Sequence, residues 1–130
     1  MSTVRLNEII KQLIANGFKA GIFALKDGLP LASGAIESIN DKMLAAFAAL
    51  ANDTAERAKS DLQLSNMESI KIVYENACIL CKSIYVKNTS YLLAVMANKA
   101  ESLEIEKYYN DLLDWAIQNA MPVLEKLSSL

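Results

Sequence analysis

Histidine occurs nowhere in the 130 residues. Its absence removes the commonest general base and the commonest metal ligand, which makes an enzyme an unfavoured reading and a metal or cofactor site an unexpected one. Arginine is nearly absent too, with Arg5 and Arg57 alone, and the formal net charge is -2. Such a chain has no basic field for nucleic acid. No apolar run approaches the roughly 20 residues of a membrane helix, so membrane insertion is not expected. The opening "MSTVRLNEII" breaks its apolar positions with Asn7 and Glu8, unlike a secretory leader. Two cysteines without such a leader favour a reducing, cytoplasmic setting. Four glycines and two prolines are too few for a linker. They are scattered at turns and caps, and neither G-x-x-x-x-G-K-[ST] nor G-x-G-x-x-G occurs.

What the chain has is apolar surface. Hydrophobic residues make up 53% and charged residues 22%. That suits one domain over residues 1–130, which buries roughly two thirds of its unfolded surface. Residues 3–16 place Leu6, Ile9, Ile10, Leu13 and Ile14 at helical spacing, and Gly17 follows as a stop. "AGIFALK" (20–26) is apolar on both alternating faces, as in a strand buried on both sides. Asp27-Gly28 then predicts a tight hairpin with both residues at positive φ. The returning strand, Leu29 to Ser33, contains Pro30, which places it on a sheet edge and predicts that the edge is closed there. Asn40 caps a long helix that ends near Leu62. Three strands follow, 69–75, 77–86 and 91–97, joined by short turns and therefore antiparallel. A last helix starts at Ser102, and Pro122 is expected to kink or restart it. The order α-β-β-α-β-β-β-α describes an α+β sandwich.

The middle helix is unusual. From Met43 to Ala51 every residue is apolar, so no direction around the helix is left for water. Two stripes separate. Leu44, Ala48, Ala51, Ala55, Ala58 and Leu62 are small enough for close approach to a sheet. Met43, Phe47, Leu50 and Thr54 form a bulkier stripe that runs on to Arg57. Three helices must cover two sheet faces. The end helices are expected on one face and the middle helix alone on the other, which leaves the bulky stripe without a cover inside the chain. A second copy, packed helix on helix about a two-fold axis, would cover it.

The remaining motifs read as structure. Cys78-Ile79-Leu80-Cys81 has C-x-x-C spacing, but inside a strand an offset of three sends the sulfurs to opposite faces. They then act as two small packed hydrophobes. Asp53, Glu56, Arg57 and Lys59 suit a solvated helix face. Asp53 and Arg57 also flank the bulky stripe, as an interface rim does. An arginine offered in trans to a GTPase would have to be Arg5 or Arg57, and Arg57 is the better placed. The tyrosines and Trp115 do not cluster with basic residues and read as core and boundary aromatics.

The apolar strand, "DGLPLAS" at 27–33, the alanine-rich helix with "AERA" at 55–58 and the closing meander with "YLLAVMA" together resemble the roadblock family, the dynein light-chain type and its prokaryotic relatives. The resemblance covers residue 18 to about 120. It implies a five-stranded antiparallel sheet, one helix on one face and two on the other, similar also to profilin and longin sandwiches. It implies no catalytic site of the chain's own, and pairing with a second copy, or with another roadblock chain, through the middle helix and the third strand. On this chain those positions are Met43, Phe47, Leu50, Thr54 and Arg57 with Ile70, Lys71, Ile72, Val73, Tyr74 and Glu75. Lys71 and Glu75 would approach opposite charges across the pairing. The implied partner is a Ras-like small GTPase, met by a rim at Asp53 and Arg57, with stimulation of GTP hydrolysis as one outcome. The alternative is a ligand-sensing longin- or PAS-like module, for which Ser83 and Thr54 are the polar candidates.

Overall fold

A computed structural model describes residues 2–129. The element order is the one read from the sequence. Helix α1 (Ser2–Ala15) leads into strands β1 (Ala20–Leu25) and β2 (Pro30–Ala35), and helix α2 spans Asp41–Asp61. Strands β3 (Ser69–Val73), β4 (Ala77–Val86) and β5 (Thr89–Asn98) precede helix α3 (Leu103–Ser128). The strands form one antiparallel sheet in the order β2-β1-β5-β4-β3. The hairpin strand β2 and the short strand β3 are therefore the two edges, and β5 is the central strand, flanked by β1 and β4.

Each boundary has a local cause. Gly17, at φ +119, lets the chain leave α1. Asn40 Oδ1 accepts from the Lys42 and Met43 amides at 3.0 and 3.3 Å and starts α2. Gln63, at φ 56, ends α2, with the Leu64 amide donating to Lys59 O at 2.9 Å. Ser102 Oγ accepts from the Ile105 amide and starts α3.

One local expectation is corrected, and of the two outcomes expected at Pro122, a kink or a restart, the restart does not occur. The β1–β2 hairpin has only Gly28 at positive φ, +94, and not Asp27. The Gly28 amide donates to Leu25 O at 2.8 Å, and the Leu29 amide to Asp27 Oδ1 at 3.0 Å. This is a three-residue loop closed by a left-handed glycine, not a two-residue turn. Helix α3 runs through Pro122 without restarting. Pro122 and Gln118, whose carbonyl loses its amide partner, are both exposed, so that carbonyl is open to solvent.

The core is two layers. On one face α1 and α3 pack side by side, tied by Arg5 Nη2 donating to Asn119 Oδ1 (2.8 Å) and Tyr108 Oη donating to Asn16 O (2.8 Å). Leu6, Ile9, Ile10 and Leu13 meet Phe18, Phe23, Leu93, Leu113 and Leu124 there. Each such fully buried side chain stabilises by about 1.5–3 kcal/mol. On the other face α2 lies alone, with Leu44, Ala45 and Ala48 over Ala20, Ile22, Ala24, Leu92 and Ala94. Alanine and glycine set the spacing: a Cβ on Gly28 would stand 2.9 Å from Ala49 Cβ.

Candidate functional site

Helix α2 rests mainly on β1, β2 and β5, covers Cys81 of β4, and leaves Ile70, Ile72 and Ile79 at the β4–β3 end half-buried. Its inner side is Leu44, Ala45, Ala48 and Asn52. Ala51, Ala55 and Ala58 are half-buried, and Leu62, expected on the covered stripe, is exposed. The bulky stripe points away from the sheet as read. Met43 is 63% exposed and Leu50 67%. Thr54 and Arg57 are exposed as well, and Phe47 is half-buried. Thr54 donates its hydroxyl to Leu50 O at 3.0 Å within the helix. Arg57 and Asp53 sit one turn apart, 3.3 Å between Nη2 and Oδ2, both open to water. Arg5, by contrast, is spent on Asn119 and Glu8 on the opposite face.

Phe47 leans toward the edge strand. With Ala48 and Ala51 it lines one side of a shallow apolar groove whose other side is Ile70, Ile72, Ile79 and Cys81. The ridge of α2 and the half-buried end of the sheet are thus one surface. Beyond it lies the free edge. The Ser83 amide donates to Glu68 O and the Tyr74 amide to Ala77 O, at 3.1 and 2.7 Å. With the register Ile70↔Cys81 and Ile72↔Ile79, the alternation turns the backbone groups of Ser69, Lys71 and Val73 outward, unpaired.

The strand stops earlier than expected. Tyr74 and Glu75 lie in the β3–β4 turn rather than in β3. Glu75 is therefore outside β3 within the subunit. The Lys71 ammonium meets Glu106 Oε1 of α3 at 2.6 Å.

The polar residues named for a ligand-sensing site do not converge. Thr54 is satisfied inside α2, and Ser83 Oγ donates to Met67 Sδ at 3.7 Å. The cysteines face opposite layers, Cys78 beside α3 and Cys81 beneath α2. Burial pushes the Cys81 thiol up to about 11. Burial also raises Cys78, against a smaller opposing pull from Lys71. Both are neutral at physiological pH, as packed thiols are. Two more large apolar side chains are exposed just after α2, Leu62 at 67% and Leu64 at 55%; sequence reasoning misplaces the first and misses the second. The signal is in the sequence: Leu-Gln-Leu falls where the helix must stop, and Leu62, although in register with the alanine stripe, is the C-cap rather than part of the helix.

No protein-family model and no curated protein sequence matches the chain. Solved structures do. The gliding protein MglB of Thermus thermophilus superposes with a TM-score of 0.75 at 12% identity, over 96% of this chain and 92% of that one. A Roadblock/LC7 domain of Streptomyces avermitilis gives 0.74 at 12%, over 91% and 96%. The fold is that of roadblock domains. MglB of Myxococcus xanthus gives 0.70 at 17% identity, over 98% of this chain and 90% of that one. At these identities the roadblock likeness is one of backbone path, so the side-chain roles on this chain rest on its own geometry.

Proposed function

We propose that this roadblock chain is a homodimeric, non-catalytic platform that docks a Ras-like small GTPase and regulates it. The observation that carries the dimer is the continuity of one surface. The ridge of exposed Met43 and Leu50 with half-buried Phe47, the groove to Ile70 and Ile72, and the outward backbone of Ser69, Lys71 and Val73 adjoin at one end of the sheet. An apolar ridge beside an unpaired strand edge suits a second copy, which satisfies both at once. The GTPase follows from the resemblance to roadblock domains and from the fold; the exposed Asp53–Arg57 pair, next to the ridge, is the rim it would meet.

Leu50→Glu tests the dimer with little risk to the subunit, because Leu50 is already two thirds exposed. By light scattering the wild type is expected at twice 14.3 kDa and Leu50→Glu at 14.3 kDa, with unchanged helix content. A wild type that stays at 14.3 kDa alone, and doubles only with a second roadblock chain, would turn the homodimer into a heterodimer. Capture of a small GTPase that depends on the bound nucleotide supports the docking role. Equal capture with GDP and a GTP analogue, or none, removes it.

A further inference from the structure

On the face opposite the α2 ridge, a cleft of about 240 Å³ opens between the β3–β4 edge and the first turns of α3. It exists because α3 crosses β4 and leaves β3 overhanging. The floor is apolar. Val73 and Cys78 are cross-strand neighbours, as are Lys71 and Leu80, and the small Cys78 leaves the floor deep. The wall is the Tyr109 ring, fixed by its hydroxyl donating to Asn98 O at 3.0 Å. Three charges stand at the rim: Lys71, Lys99 and Glu106. Glu106 is committed to Lys71 at 2.6 Å. Lys99 has no side-chain partner among the described residues. Two ammonium groups against one carboxylate leave the cleft one positive charge in excess. The N-terminal end of α3 adds to it in sign, and Glu101 and Glu104 on that turn do not line the cleft.

We propose that this cleft binds a small monocarboxylate with an apolar body, the carboxylate on Lys99 and the body against Val73, Cys78, Leu80 and Tyr109. An apolar pocket with a few placed polar groups is the usual form of a small-molecule site. The volume lies below the ~300–1,000 Å³ of drug-sized ligands, which limits the guest to a fragment such as a medium-chain acid. The cleft opens on the face opposite the α2 ridge; Lys71 and Val73 belong to the β3 edge that would meet a second copy, but the proposal rests on the cleft's own lining within one chain.

Sodium octanoate is the probe, at pH 7 and below its aggregation concentration, with 1-octanol as the uncharged counterpart. Amide shifts are followed by NMR on the full chain. Octanoate is expected to saturate one site per chain, with the largest shifts at Cys78, Lys99 and Tyr109. Octanol should bind about five-fold more weakly, as should octanoate to Lys99→Gln, the loss of a single partly exposed charge contact. Octanol itself should not distinguish Lys99→Gln from wild type. Shifts confined to α2, non-saturating shifts, or equal affinity of wild type and Lys99→Gln for octanoate would each overturn the proposal. Lys99 is exposed, so the variant is expected to fold, and the light-scattering mass reports the docking reading separately.

Discussion

The Cys81 thiol lies under α2 among Leu44, Ala48 and Ile70, where no cation is at hand to offset a negative charge. Its pKa is raised from 9.0 to about 11 in the folded protein. The folded state then holds its proton more tightly than the unfolded chain does. The stability contributed is complete below pH 9 and is lost as pH rises toward 11. Over that window the loss is about 2–3 kcal/mol, at about 1.36 kcal/mol per unit of pKa. Urea unfolding at about pH 8 and about pH 11 should show a steeper fall for wild type than for Cys81→Ala, the difference cancelling the lysines and tyrosines that titrate nearby. Parallel falls would mean that the thiol reaches water. Cys78 faces the other layer, beside Lys71 and the cleft, so the two thiols are independent despite their C-x-x-C spacing.

Helix α1 owes its close seat on the sheet to a glycine pair. Gly21 and Gly34 are cross-strand partners on β1 and β2, and Ile10 enters the notch between them. A Cβ on Gly21 would stand 3.2 Å from Ile10 Cδ1, and one on Gly34 3.0 Å from Ile10 Cγ2 and 3.2 Å from Ile14 Cδ1. Gly21→Ala is expected to cost about 1–2 kcal/mol by overpacking. Ile10→Val removes the atom it strikes, so the double variant should lose at least ~0.5 kcal/mol less than the sum of the two singles. Strict additivity in chemical denaturation would mean that α1 simply shifts outward. Gly34→Ala should cost more, since the Cγ2 it meets is on a stiff branched stem. Neither glycine could be placed from sequence, because a notch is a property of two strands and a helix together. The elements themselves were legible: periodicity separates α1 from β1, and Asn40 and Ser102 mark their helices. The rotation of α2 was only half legible. The bulky stripe stood out, but alanine is so dense from 45 to 58 that hydrophobicity does not choose which alanines face the sheet. Gly28 against Ala49 does, and it puts Asn52 rather than Ala55 inside. The end of β3 was illegible for a similar reason. Tyr74 continues the strand's residue types, yet its amide closes the turn to Ala77 O.

At the scale of the molecule, the question is which sheet edge meets another chain. Pro30 does not close the β2 edge by itself. It is the strand's first residue, and because the Ile36 amide donates to Lys19 O, the amides of Ser33 and Ala35 point outward. What discourages pairing there is the register shift between Phe23 and Ala24, a bulge that twists the edge. The β3 edge is regular over its whole length, with Ser69, Lys71 and Val73 outward. If two copies pair these five residues fully about a two-fold axis, Lys71 falls opposite Lys71 of the second copy, and Ile70 opposite Ile72. Like charges face to face oppose pairing, but each Lys71 is already bound to its own Glu106. The apolar pair then continues the groove beneath both copies of α2. Val73→Pro separates edge pairing from helix packing. Its amide has no partner among the described residues, so the subunit should keep its circular dichroism, while the edge loses a donor and gains a clashing ring. The expected mass is 14.3 kDa. A Val73→Pro protein that remains a dimer, alongside a monomeric Leu50→Glu, would mean that the copies meet through α2 alone and that the two sheets do not join.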